Sequence, residues 1–430
     1  MSAFPEDAEA SHLWRRAKAV ADLADSRTLT RAAGCLAVGL VDILSSAQMA
    51  HHLSAARALI SGHGACSVPG SGVVASPSGA ATANAYLMHA QLTDDSYRVA
   101  AHPGLAVIPV AVAIAEDVWK NCHLSGDRFL RSVVAGYECA GALADRLLPT
   151  VSHRGWRVTS VIAPLAAAVT AAYLLSFDDA TAISAIGLAA ATAGGPLSVV
   201  ATGGDGWRLQ PALAVQSGIA AMLAAGAGLR SGTDSMGTEH GYLSHFGARD
   251  PRPTANRRPA VHDVTFKRYP VAMYGQSIFD ALCTLDRITG EISRLRISLH
   301  PFAAQYGNQS QNSAGSISDV RSIAVAGLQS FHPGLTLPHS ADRRWIEIDA
   351  DPEMHPLNAT LELTLADASH YATAGNGDTS HWGATDFTHR CGEHLGPRGR
   401  DIAALALALP AGAGLADLLH RWQKEAVIVG

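Results

Sequence analysis

Aromatic residues are scarce in this 430-residue chain, at 6%, and charged residues reach only 16%. With few large rings available, a core has to be closed by small and aliphatic side chains lying near one another. Charge of one sign never accumulates: the formal net charge is −5 and there is no long basic block. Neutralising phosphates takes clustered Lys and Arg, so a nucleic-acid partner is excluded. The six cysteines, Cys35, Cys66, Cys122, Cys139, Cys283 and Cys391, form no C-x-x-C pair. Neither a zinc framework nor a disulfide scaffold is expected, and buried thiols in a reducing cytoplasm are. The His51–His52 and His240/His245 pairs have no carboxylate at helical spacing, so no metal site is expected. The opening "MSAFPEDAEASHLWRR" has no apolar signal core. The Ala-rich stretches near 161–175 and 211–229 are interrupted by Pro, Gly, Gln or Ser and read as buried helices, which leaves no membrane partner and a cytoplasmic location as the expectation.

What is present is 48% hydrophobic residue, enough for a sizeable core. From about Ser11 to Leu229 the apolar residues repeat at helical spacing, as in "TRAAGCLAVGLVDILSSAQ", "GLAVIPVAVAIAEDVWK" and "SGDRFLRSVVAGYECAGALADRLL". The stretch around "SFDDAT" separates two helices, with Asp or Thr placed to cap the second. Composition changes at "GARDPRPTANRRPAVHD", which is rich in Pro and Arg and marks a linker or domain edge. Beyond it "ISRLRISLH", "WIEIDA" and "ATLELTLAD" alternate as strands do, and "SDVRSIAVAGLQSF" reads as helix. "EHLGPRGRD" reads as a solvated turn, and the last stretch returns to helix. The fold class expected is mainly α with a smaller α+β domain. A helical domain over 1–262 takes back 386–430, and the α/β domain covers 263–385.

The segment "DDSYRVAAHPG" puts Asp94, Asp95 and His102 close together in a chain otherwise poor in charge. Two readings stay open on these residues alone: a solvated loop with a helix-capping His, or the acid/base edge of an active site. A His at a helix N-terminus is disfavoured in its protonated form and can serve as a base near neutrality. Pro103 fixes the turn, and Gly104 lets a ligand come near.

Together with "RAAGCLAVGLVDIL", "SPSGAATANAYLMHAQLTDD", "HPGLAVIPVAVAIAE", "GYECAGAL", "GWRVTSVIAPLAAAVTAAYLL", "QSGIAAMLAA" and "FKRYPVAMYGQSIFDAL", that segment resembles the MmgE/PrpD family. The family includes 2-methylcitrate dehydratase, cis-aconitate decarboxylase and iminodisuccinate epimerase. The resemblance implies a large all-helical domain, a smaller lid domain, a homodimer and no cofactor. It also implies that His102 is a catalytic acid/base supported by Asp95, with Asp94 beside the substrate, and that Lys267 is a catalytic cation with Tyr269 shaping the turn after it.

The departures from the family pattern run in one direction. Leu92 stands where the family has an Asp, Arg157 where it has a His, Trp207 where it has a Lys and Gln210 where it has a His, while Arg208 remains. Met273 and Gln276 replace an Arg and a His. Arg does not release its proton in proteins, so Arg157 is read with Trp207, Arg208 and Gln210 as substrate-binding. Fewer cations suit a less anionic carboxylate than a tricarboxylate. The function expected is a cofactor-independent lyase, by dehydration or decarboxylation, on a non-standard small carboxylate in specialised metabolism. An isomerase, epimerase or cyclisation catalyst and an inactive binding homologue are the alternatives.

Overall fold

The computed structural model describes residues 8–119, 124–248, 257–307, 318–338 and 343–427. Cys122 and most of the expected linker, residues 249–256, lie outside the described residues. The chain is mainly helical with a smaller α+β part. It divides into a larger unit, Met1–Pro196 with Arg208–Val264 and Ser380–Gly430, and a smaller one, Leu197–Trp207 with Thr265–Thr379. Residues 197–207, placed with the helical domain on sequence, group with the smaller unit.

The helices run in order as α1 (Ala8–Asp22), α2 (Ser26–Ala47), α3 (Pro77–Ala90), α4 (Gly104–Val118), α5 (Gly126–Leu147), α6 (Val158–Leu174), α7 (Asp179–Ala190) and α8 (Gly206–Gly226). Short polar side chains start them by accepting otherwise unpaired main-chain N–H groups. Asp25 accepts from Thr28 (2.8 Å), Ser76 from Gly79 (3.1 Å), Ser125 from Arg128 (3.1 Å) and Asp178 from Thr181 (2.7 Å). Helices α3 and α6 are buried along their whole length, and their Ala-rich sequences permit it, since small side chains let neighbouring helices approach. Helices α2 and α8 are long and apolar enough to cross a membrane by length and composition; the apolar stretch of α2 is 89% buried within the fold and that of α8 44%. Helix α8 is therefore less buried than its sequence suggests, and Leu209, Leu213 and Leu223 face outward. A short antiparallel pair, β1 (Cys66–Ser67) with β2 (Val74–Ala75), lies between α2 and α3, and β3 (Asp95–Tyr97) follows α3.

The main part of the smaller unit begins within β4 (Val264–Phe266) and contains α9 (Gln276–Cys283) and α10 (Val320–Phe331). Its sheet is built on β5 (Gly290–Leu299). That strand runs parallel to β6 (Leu335–Thr336) and β7 (Ile346–Ala350) on one edge and antiparallel to β8 (Asn358–Leu365) on the other. The hairpin partner of β8 is β9 (His370–Asn376), which the sequence reading did not find. Its residues "HYATAGN" are mostly exposed on an edge, so they carry little apolar alternation. On β5 and β8, Leu295, Ile297, Leu299, Leu361 and Leu363 face the core. Arg294 and Arg296 sit outside among Glu347, Asp349 and Glu362.

The chain then returns to the larger unit as α11 (Ala384–Ala408) and α12 (Leu415–Val427). The stretch "EHLGPRGRD", expected to be a solvated turn, lies inside α11. Gly396 (φ 61°) and Pro397 kink the helix there and break it into two pieces. Helix α11 packs on α2, where the Phe387 ring lies so close to Gly34 that a Cβ at that glycine would sit 2.2 Å from it. Four of the described cysteines are buried as expected, but Cys283 is exposed.

Candidate active site

Three chain segments of the larger unit bring four predicted site residues together. The loop after α3 carries Asp94 and Asp95, His102 immediately precedes α4, and Arg157 is the residue that begins α6. The loop is held in an unusual conformation. Leu92 (φ 58°), Arg98 (φ 49°) and Val99 (φ 69°) all lie in the left-handed region, which costs a side-chain-bearing residue about 1–2 kcal/mol. Such conformations persist where the surroundings over-determine them.

The surroundings here are hydrogen bonds. Asp95 Oδ1 accepts the Gly104 N–H at 3.0 Å, at the positive end of α4, and Asp95 Oδ2 accepts the Tyr137 hydroxyl at 2.6 Å. Burial, then the neighbouring Asp95 carboxylate, pushes the Tyr137 phenol well above its ordinary range. Burial likewise pushes the nearby Cys35 thiol up to about 12. Ser96 Oγ donates to the main-chain carbonyls of Val99 and Ala101. Asp95, named on sequence as the catalytic partner of His102, therefore ties the loop to α4 and α5.

The carboxylate that meets His102 is Asp94. Nδ1 of His102 lies 2.8 Å from the Asp95 carbonyl oxygen, in hydrogen-bond geometry, and 2.9 Å from Asp94 Oδ2. With acceptors on that side, Nδ1 carries the proton, and in the neutral ring Nε2 holds the lone pair. The His102 side chain keeps 12% of its surface exposed, whereas Asp94 is wholly buried.

The other oxygen of Asp94 faces an imidazole that the sequence reading missed. His89, in the last turn of α3, approaches Asp94 Oδ1 with Nδ1 at 3.0 Å, and its ring centroid is 5.2 Å from that of His102. Arg157 Nη2 lies 2.7 Å from His89 Nε2. Burial, with Arg157 and His102 adding to it against Asp94, lowers His89 to about 3. Burial lowers Arg157 to about 10, opposed by Asp94, so its guanidinium is charged at neutral pH. The signal for His89 was its place in "LMHAQLTDD", five residues before Asp94 at a helix end. The signal for Tyr137 was its place in "GYECAGAL".

Each of the remaining predicted residues has its own local surroundings. Arg208 Nε donates to the Ala90 carbonyl at the end of α3 (2.8 Å), a favourable place for a cation. Gln210 accepts from Ser160 (2.8 Å) and donates to the Pro196 carbonyl (3.1 Å). In the smaller unit Trp207 and Lys267 are buried. Tyr269 packs its ring against Phe279 and Phe331. Gln276 organises the turn after Lys267: Oε1 accepts from the Arg268 and Tyr269 main chain, and Nε2 donates to the Tyr269 and Val271 carbonyls.

Comparison with known proteins bears on what such an arrangement does. A family model described as the MmgE/PrpD N-terminal domain matches residues 16–254. The chain is similar to cis-aconitate decarboxylase of Homo sapiens, 26% identical over 219 residues, or 49% of this chain and 44% of that protein. It is also similar to cis-aconitate decarboxylase of Mus musculus, 25% identical over 212 residues, or 48% and 43%. Each match thus spans less than half the length of the relative.

Proposed function

Because this chain belongs to the MmgE/PrpD family, we propose that it is a lyase that moves a proton next to a carboxylate, by dehydration or decarboxylation, with His102 as the proton carrier. The observation that carries this is the fixed imidazole. Nδ1 is held by the Asp95 carbonyl with the Asp94 carboxylate 2.9 Å away, and Nε2 is the nitrogen assigned to exchange a proton with substrate. In dehydration, Nε2 takes the proton from carbon, the electron pair forms the double bond, and the departing hydroxide leaves as water with a proton. In decarboxylation, His102 first takes a proton from solvent on Nε2; carbon dioxide leaves, the electron pair of the broken bond stays on the substrate, and the imidazolium gives its proton to carbon and becomes neutral again.

The charge that develops needs a cation. The family resemblance gives this role to Lys267, while Arg157 Nη2 meets His89 and Arg208 Nε donates to a helix carbonyl. By the resemblance Trp207 stands where a Lys is expected, and one cation fewer suits a less anionic substrate than a tricarboxylate, in a specialised pathway. A second reading, a one-base isomerase or epimerase, is favoured by one observation: position 210, where the resemblance implies a second proton carrier, holds a glutamine fixed to Ser160 and Pro196.

The test is solvent exchange. The wild type and His102→Ala are incubated in deuterated buffer with a panel of small mono-, di- and tricarboxylates and followed by NMR and mass spectrometry. Loss of water or carbon dioxide, abolished in His102→Ala, is the expected result. Deuterium entering without either loss points to the isomerase. Turnover that survives in His102→Ala removes His102 from the mechanism.

A further inference from the structure

The contact between Arg157 and His89 has a consequence for the proton carrier. An imidazole nitrogen either donates or accepts, and a guanidinium has only donors. Arg157 Nη2 is 2.7 Å from His89 Nε2, so Nε2 has to be the bare nitrogen and Nδ1 the protonated one. That places the Nδ1–H 3.0 Å from Asp94 Oδ1, where it is donated. The opposite tautomer would set N–H against N–H at Arg157 and a lone pair against a carboxylate at Asp94, both inside a fully buried cluster. Asp94 is therefore gripped at one oxygen by His89 and presents the other at 2.9 Å to Nδ1 of His102.

We infer that Arg157 is a positioning residue: by donating to Nε2 of His89 it fixes the tautomer of that imidazole and with it the place of Asp94, whose Oδ2, 2.9 Å from Nδ1 of His102, acts with the Asp95 carbonyl to favour the proton on Nδ1 and leave Nε2 of His102 to carry the reacting proton. This rests on the reading of His102 as proton carrier. It replaces the substrate-binding role that the sequence suggested for Arg157. The charged and titratable groups around His89 are Asp94 and Asp95 on the loop after α3, His102 before α4, Arg157 before α6, Tyr137 on α5 through Asp95, and Asp42 on α2 behind Asp94. Asp94 favours a charged His89, and burial outweighs it. His89 is a relay of hydrogen bonds and exchanges no proton with substrate.

The experiment is ¹⁵N NMR of the full-length chain labelled in histidine, using two-bond proton–nitrogen correlations to read each ring's tautomer from pH 5 to 8. The His89 signal is identified by its absence in His89→Asn. In the wild type His89 should show a protonated Nδ1 and a bare Nε2, unchanged across that range, and His102 the same tautomer at neutral pH. In Arg157→Met, which removes the donor and keeps the bulk, His89 should populate both tautomers or begin to titrate within that range. The acidic limb of kcat/KM should be displaced with it. Arg157→Lys, which keeps one charged donor, should restore the wild-type spectrum.

A wild-type His89 protonated at Nε2, or one that titrates near the ordinary histidine value, overturns the inference. So does an Arg157→Met spectrum in which both rings are unchanged. If Arg157→Met does not fold, the wild-type tautomer and the Arg157→Lys spectrum decide. The spectra need no substrate. A panel without turnover therefore counts against the lyase reading alone, and a wrong tautomer in an active enzyme counts against Arg157 alone.

Discussion

A hydrogen atom in place of a methyl group at Gly104 decides whether Asp95 can hold the site loop. A Cβ there would lie 2.6 Å from Asp95 Oδ1 and 2.8 Å from the Tyr137 hydroxyl, closer than such atoms come. Gly→Ala in a helix ordinarily stabilises by up to about 1 kcal/mol. Here the sign reverses, because the carboxylate has to leave the helix terminus. Gly104→Ala should destabilise by about 1–3 kcal/mol in urea titration, the cost of losing a buried hydrogen bond to a charged group. It should also slow proton exchange into substrate more than it weakens substrate binding. A raised urea midpoint would show that Asp95 does not depend on this contact. The acids and His102 were legible in the sequence because they are neighbours in the chain. His89 was harder to single out, because one of its two site partners, Arg157, lies 68 residues away. The role of Asp94 relative to Asp95 was equally hidden. Which of two adjacent carboxylates faces the imidazole depends on the turn, and the left-handed residues Leu92, Arg98 and Val99 shape that turn.

Among the elements, the helices were read well where a cap and an apolar period agree. Asp178 opens α7 where "SFDDAT" separates it from α6. Position was harder to read than type. The break at Gly396–Pro397 reads as a loop in sequence, yet helix continues on both sides of it. Residues 197–207 join the smaller unit through long-range contacts such as the one from Ser318 Oγ to the Val200 carbonyl (3.2 Å). The return helix α11 joins α2 by two different means. Phe387 buries its ring over Gly34 with the Arg31 guanidinium 5.2 Å from the ring centre, and Arg390 bridges Asp42 (2.7 Å) and the Thr93 carbonyl (2.9 Å), next to Asp94 in the chain. Phe387→Ala should cost about 3–5 kcal/mol, as a large ring leaves a cavity that rigid helices cannot close. Arg390→Met should cost a similar about 3–5 kcal/mol by leaving Asp42 buried without its cation. Because Arg390 also braces the loop, only the Arg390 variant should lose turnover at temperatures where both proteins are still folded. Equal losses of turnover in the two variants would mean that α11 acts on the site through stability alone.

For the whole molecule, the buried imidazoles set how stability responds to acid. Burial lowers both His89 and His394 to about 3, whereas in the unfolded chain each takes a proton near 6.5. Between those values the unfolded state binds more protons than the folded one, so stability falls as pH falls, by about 1.4 kcal/mol per pH unit for each ring. Glu116 works the other way. Burial raises it to about 6 despite the hydrogen bonds from Ser67, so from 4.5 to 6 the folded state binds the extra proton. Over that interval the two rings together outweigh this one carboxyl. Comparing two versions of the chain isolates the ring in the site. Asn can still donate to Asp94 from its amide but does not titrate, so His89→Asn removes the proton linkage and keeps a donor. Between pH 7 and pH 5 the wild type should lose about 2 kcal/mol more than His89→Asn in reversible urea unfolding followed by helical circular dichroism. Parallel losses in the two proteins would mean that His89 accepts its proton in the folded state near the ordinary pH, and the neutral relay between Arg157 and Asp94 would then be untenable.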